Sequence, residues 1–310
     1  MVLWMNKPKV KILYILGTGH SGSTMMDILL GSHEKIASAG ELVNFLSVRG
    51  NNRYCSCGEH VSDCEYWGYV HKLWRGTVGE EGVRDYPILQ ARYERIRSLP
   101  RLWVERFIKS KEFIKYGRLT RLLYEAIAEA SGNNIIVDSS KNPARAYALH
   151  LIYGSSVKPI LLVRDSRAVT WSYMKMAKKD YKQNESKLLY DHLMWSSILD
   201  WNFTNYLSLT LLNRFFADSI TIKYEDIISD VPSSFVDIGQ AIGYDLTGLY
   251  DEAEMSQGVE IKHIVAGNKT RKTGRLRIKP DVSWRNNMPY LAQRICRVFT
   301  WPLARKLGYN

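Results

Sequence analysis

The 310-residue sequence contains no apolar run approaching the roughly 20 residues that a membrane-spanning helix needs. No small-residue cleavage pattern follows the opening MVLWMNKPKVKILYILG, so that stretch reads as a first strand and not as an export signal. A soluble, cytoplasmic protein without stable membrane insertion is the expectation. Internal repeats, low-complexity tracts and a clear linker are also missing, so a single domain over residues 1–310 is expected.

Cysteine is scarce. Three of the four cysteines, Cys55, Cys57 and Cys64, fall in YCSCGEHVSDCEYW with His60 between them, and Cys296 lies far away. The cluster has the residue types to hold zinc or to close one disulfide. Its spacing matches no standard zinc pattern, and a chain that is not exported has little use for a structural disulfide. The preferred reading is a compact loop of packed thiols, with no metal expected.

A further absence concerns one residue. In GTGHSGST, Gly17, Gly22 and Thr24 fit the phosphate-loop pattern G-x-x-x-x-G-K-[ST], but Ser23 stands where the lysine should be. The apolar run VKILYIL (10–16) before it reads as a strand buried on both faces, and TMMDILLGSH after it as a short helix. A glycine turn opening a helix presents backbone N–H groups and the positive end of the helix dipole. Without a lysine for a γ-phosphate, the turn suits a nucleotide that has no γ-phosphoryl group to transfer.

Further buried-strand runs are NIIV (134–137), KPILLV (158–163) and SITIK (219–223). Helical stretches are expected near 87–130, broken at Pro100, and at 143–153, 165–178, 186–212 and 231–242. Residues 45–86 read as loop-rich. Strands alternating with helices imply an α/β fold of three layers, P-loop-like, with a central parallel sheet flanked by helices. Residues 256–287 read as a long basic loop, and 288–310 as a C-terminal helical tail that packs rather than binds a membrane. Lys and Arg number 43 against 31 Asp and Glu, a net charge of +12 that favours anionic partners without selecting one.

A second anion signal is LLVRDSRAVTWSY (161–173), where a buried strand ends at Arg164 and Ser172 follows two helical turns on. Two phosphate sites on one sheet suggest a nucleotide phosphorylated at two places on its ribose. With these motifs the chain resembles the sulfotransferases that use 3′-phosphoadenosine 5′-phosphosulfate (PAPS), in particular bacterial members related to carbohydrate and tyrosylprotein sulfotransferases. The likeness rests on His20-Ser21-Gly22-Ser23-Thr24, on Arg164-Asp165-Ser166-Arg167 through Ser172, on VDSSK (137–141) and KYEDI (223–227), and on Gly267-Asn268-x-x-Arg271 followed by Trp284.

The resemblance implies that Gly19, His20, Ser21, Gly22, Ser23 and Thr24 hold the 5′-phosphosulfate, and Arg164 and Ser172 the 3′-phosphate. It places Arg271 and Lys272 in a loop closing over the nucleotide, with Tyr224 beside it, although that ring also reads as core. Glu41 in SAGEL would be the catalytic base and Lys141 a cation near the bridging oxygen of the leaving group. His20 replaces a Lys or Arg of many relatives, which makes the charge there pH-dependent. The implied reaction moves a sulfuryl group to a hydroxyl of a carbohydrate or other small molecule, with no metal and no nucleic acid. Two other readings stay open. One is a P-loop kinase or NTPase with Asp138 as its acid. The other is a non-catalytic basic module that binds anionic glycans through residues 92–124.

Overall fold

The computed structural model describes residues 10–46, 54–180, 186–246 and 257–309. Residues 1–9 of the opening stretch and the start of the basic loop at 256 lie outside them. Five strands form one parallel sheet: β1 (Lys11–Leu16), β2 (Ile36–Ser38), β3 (Ile135–Lys141), β4 (Val157–Val163) and β5 (Ile220–Lys223). Their order across the sheet is β2-β3-β1-β4-β5. The pairings are all parallel, with Leu13 opposite Val137 on one side and opposite Lys158 on the other.

Strand alternation sends side chains into two apolar layers. Ile12, Tyr14, Leu16, Ile136 and Leu161 join one core, while Leu13, Ile15, Val137, Ile160 and Leu162 join the other. The second core is closed by α1 (Ser23–Gly31), whose nine residues are all buried. The first is covered by α2 (Glu65–Tyr93), α3 (Leu99–Glu105), α4 (Lys111–Ser131) and α5 (Pro143–Tyr153). The order is completed by α6 (Ser166–Asp180), α7 (Ser186–Phe215), α8 (Tyr224–Ser229), α9 (Val231–Ile242), α10 (Ser283–Asn287) and α11 (Tyr290–Lys306). The expected three-layer α/β architecture is the observed one.

Three elements differ from the sequence reading. Much of the stretch read as loop-rich is α2, whose Trp67, Val70 and Trp74 recur at helical spacing and are buried. Glycines in α2 obscured that pattern, and Gly79 (φ 68°) breaks the helix locally. The short edge strand β2 was not expected. The basic loop is built rather than open: it holds a hairpin of β6 (Val259–Glu260) and β7 (Arg275–Leu276), a 3-10 turn at Lys269–Lys272, and α10. The tail is a packed helix as expected, burying Ala292, Cys296, Thr300 and Ala304 at i, i+4 intervals against α6 and α7. Among the described residues, no helix is long and apolar enough to cross a membrane.

Behind β3 lies a buried ion network. Arg145 of α5 donates its Nε to Asp138 at 3.0 Å and pairs with Glu94, and all three side chains are almost wholly shielded from solvent. Tyr124 and Tyr116 donate hydroxyls to Asp138 and Glu94, each at 2.6 Å. Removing the guanidinium would strand two buried carboxylates, a loss of the kind that costs about 3–5 kcal/mol. R145M is expected to lower the urea-unfolding free energy by that amount. By contrast, K115M, at a solvent-facing pair with Glu81 and Asp85, should leave the urea-unfolding free energy nearly unchanged.

Candidate active site

Chain order makes the sheet reverse direction at β1. From β1 the chain moves through α1 to the β2 edge, and from β3 it crosses through α5 to β4 on the other side of β1. Ligands of open α/β sheets sit at the carboxyl ends of strands at such a reversal. Here the loops after β1, β3 and β4 converge on a cavity of about 660 Å³.

The turn after β1 is shaped by close approaches that only glycine permits. Gly17 has φ 144°, and a Cβ there would strike the carbonyl of Leu162 in β4. Gly22 caps α1 with φ 98°, and a Cβ would stand 2.5 Å from Cδ2 of the Tyr224 ring. His20 also adopts a left-handed conformation (φ 62°). The first turn of α1 therefore points its N–H groups into the cavity mouth, with Ser23 and Thr24 among the lining residues. Asp27 anchors this helix to the sheet by accepting hydroxyl bonds from Ser38 and, at 2.5 Å, Ser139. Burial pushes its carboxyl up to about 7, against the pull of those two hydroxyls.

Arg164 leaves the end of β4 and is held on three sides. Its Nη1 donates to the His20 carbonyl at 3.0 Å, its Nη2 reaches the Asp281 carboxylate at 3.3 Å, and its guanidinium lies 4.4 Å over the Tyr224 ring. Its Nε is buried without a partner. Asp165 pairs with Arg167, and its carboxylate takes the Arg167 backbone N–H at 2.8 Å, which starts α6. On that helix Ser172 and Lys175 face the cavity. The Lys175 ammonium lies 3.7 Å from the same Asp281 oxygen, so one carboxylate lies between two cations. Burial raises its pKa, but the Ser283 hydrogen bonds, Lys175 and Arg164 overcome this and hold it at about 2.

The third strand supplies the remaining pair. A register shift between β1 and β3 sets Leu16 opposite Lys141, which takes φ 67° at the strand end. Its ammonium pairs with Glu41, whose other carboxylate oxygen accepts from Asn44 Nδ2 at 3.1 Å. Both residues line the cavity. Burial, followed by the charges of Arg164, Lys141 and Lys175, lowers the pKa of His20 from its ordinary 6.5, so the ring is neutral at pH 7.

Of the residues expected at the site, Gly19, His20, Gly22, Ser23, Thr24, Glu41, Lys141, Arg164, Ser172 and Tyr224 line this cavity together. The Tyr224 ring is buried, as its core reading expects, and forms the wall between Gly22 and Arg164. Three expected residues lie elsewhere. Ser21 is fully buried beneath the turn with no partner for its hydroxyl. Arg271 donates Nη1 to the Tyr54 carbonyl at 2.9 Å, and Lys272 sits 5.2 Å over the Tyr54 ring. The loop nonetheless reaches the site through Gly267 and Asn268, whose backbone N–H donates to Thr24 Oγ1 at 3.1 Å.

Lys175, Arg277, Lys279 and Asp281 were missed. Lys175 is legible in hindsight as one turn beyond Ser172 on the same helix face. Asp138, weighed as a nucleotide-triphosphatase acid, is committed to Arg145 and does not line the cavity. Of the aromatic residues of 92–124, Tyr93, Phe113, Tyr116 and Tyr124 are buried in the core, while Trp103 and Phe107 are exposed beside Arg106.

Three comparisons bear on this geometry. The profile described as the sulfotransferase family matches residues 13–248, from within β1 to beyond α9. No curated protein is significantly similar to the chain. Among solved structures, the sulfotransferase domain from the Synechococcus PCC 7002 olefin synthase is 21% identical at a TM-score of 0.50, covering 98% of each chain. Sulfotransferase STF9 from Mycobacterium avium is 12% identical at a TM-score of 0.51, over 99% of this chain and 79% of that one. At such identities the structural likeness speaks for the fold. The profile spans the glycine turn, Glu41, Lys141 and the Arg164–Ser172 segment alike, and on that match the chain belongs to the sulfotransferase family.

Proposed function

We propose that the chain transfers a sulfuryl group from PAPS to a hydroxyl of a carbohydrate or other small-molecule acceptor, releasing adenosine 3′,5′-bisphosphate. The observation that carries this reading is two separate clusters of anion-binding donors in one cavity. One is the N-terminus of α1 with Ser23 and Thr24. The other is Arg164 with Ser172 and Lys175 at the end of the neighbouring strand. Asp281 supports an anion site there, since its carboxylate lies 3.3 Å from Arg164 and 3.7 Å from Lys175. The partnerless Nε of Arg164 leaves a further donor for a phosphate oxygen.

In this scheme the first turn of α1 holds the 5′-phosphosulfate. Arg164, Ser172 and Lys175 hold the 3′-phosphate in place of Asp281. Glu41 accepts the acceptor hydroxyl's proton as the new S–O bond forms. Lys141 exchanges Glu41 for the bridging oxygen as the S–O bond to the phosphate breaks, stabilising the charge left on it. A singly charged sulfuryl group is held by these donors without any requirement for a divalent ion.

Three outcomes test the proposal. Calorimetry should find adenosine 3′,5′-bisphosphate binding well and AMP poorly. R164A should weaken the bisphosphate about 10- to 100-fold, as loss of a charge-assisted contact implies, while hardly touching AMP. Equal affinity for the two nucleotides in the wild-type protein would sink the reading.

E41Q should lower turnover by about 10²–10⁴ with bisphosphate affinity nearly unchanged, because only proton transfer is lost. Near-normal rates in that variant would remove Glu41 as base.

The third outcome concerns His20, which is neutral when free because burial and nearby cations depress its pKa. A polyanion beside it offsets those cations and raises that pKa. Binding then takes up a proton, and affinity increases as pH falls from 8 to 6. The readout is the difference in pH slope between wild type and H20N, which cancels the nucleotide's own titration. Identical slopes would show that His20 takes up no proton.

A further inference from the structure

We propose that Cys55, Cys57, Cys64 and His263 form a structural zinc site that ties the cysteine loop to the segment covering the glycine turn. Their ligand atoms all lie within 4.8 Å of one another. Tetrahedral zinc, with Zn–S of about 2.3 Å and Zn–N of about 2.0 Å, sets its ligand atoms roughly 3.5–3.8 Å apart, so a shift of about 1 Å closes the shell. The approach is already centred on one nitrogen. His263 Nδ1 lies 3.5 Å from Cys55 Sγ and 3.2 Å from Cys64 Sγ. Three thiolates and one imidazole are a complete set for a closed structural site.

The surrounding backbone is shaped for this. The Cys55 N–H donates to the Glu59 carbonyl at 2.8 Å and the Gly58 N–H to the Cys55 carbonyl at 3.1 Å. With Gly58 at φ 97°, this tight turn brings Cys57 back beside Cys55. Cys64 is the N-cap of α2, which fixes its backbone at the start of that helix. The His263 ring stacks on Tyr66 at 5.6 Å, which fixes its plane. Cys55 and Cys64 are buried while Cys57 is exposed, so one edge of the cluster opens to solvent and gives an ion a way in. A disulfide would leave one thiol over and give His263 no reason to sit among them. His60, the histidine within the cysteine motif, is not in the cluster: its Nδ1 lies 2.6 Å from Ser62 Oγ.

The position gives the ion a structural task. The Ser56 N–H donates to the Ile264 carbonyl at 3.1 Å, and Cys55 bridges to Val265. The Val265 carbonyl in turn accepts the Glu41 N–H at 3.0 Å, and three residues on, Asn268 reaches Thr24. A clamp at His263 would fix the origin of the strap that meets both the candidate base and the glycine turn.

The test measures metal content, which is independent of nucleotide or activity. Protein isolated without chelators from zinc-supplemented medium should carry about one zinc per chain by plasma mass spectrometry. Cobalt substitution should give the intense visible bands and thiolate-to-cobalt charge transfer of a tetrahedral sulfur-rich site. C57S, at an exposed position, should keep the fold by circular dichroism but bind zinc at least tenfold more weakly. H263N should do likewise, and H60A should match wild type. Zinc-free protein without the cobalt charge-transfer band would overturn the proposal, as would C57S and H263N binding zinc like wild type. So would an unreduced mass lighter by two hydrogens, which means a disulfide.

Discussion

The parallel pairing of β1 between β3 and β4 is the constraint on which the site depends. A strand flanked on both sides by parallel neighbours is buried on both faces, and every residue of VKILYIL but the exposed Lys11 is apolar for that reason. Pairing in parallel also makes every strand finish at the same edge. The glycine turn, Lys141 and Arg164 have no local means of meeting, being over a hundred residues apart in places. Register brings them together: Leu16 lies opposite both Lys141 and Leu161, three residues before Arg164.

Concentrating His20, Lys141, Arg164 and Lys175 around one cavity carries an electrostatic cost, which internal acids offset. Glu41 neutralises Lys141, and Asp281 answers both Arg164 and Lys175. Histidine at position 20 fits this balance. A permanent cation there would face three others in a half-buried setting, whereas an imidazole sheds its proton and remains a donor.

Much of this was legible from local pattern. The long apolar strands, the glycine turn and the helices from 143 and 231 follow from hydrophobic runs, and the structure adds Asn142 and Asp230 as the N-caps of those two helices. What escaped was non-local. β2 is three residues that become a strand only by pairing with β3. α2 hid behind its glycines and Pro87. Arg271, which the resemblance puts in a loop closing over the nucleotide, donates Nη1 to a backbone carbonyl beside the cysteines, a contact that no local pattern announces. His263 stands about 200 residues beyond the cysteines, so no spacing rule could couple them, whereas the nearer His60 was an obvious but wrong neighbour.

The contact between Gly22 and the face of Tyr224 has a consequence for how the protein is made. The glycine turn is encoded at the start of the chain, but one of its walls comes from the residue that follows β5, some two hundred positions later. During synthesis the first βα unit emerges long before that wall exists, and closing so long a loop is a slow, late event. The turn thus gains its final shape only when the last strand of the sheet docks. Completion of the anion-binding turn and completion of the sheet are one folding step.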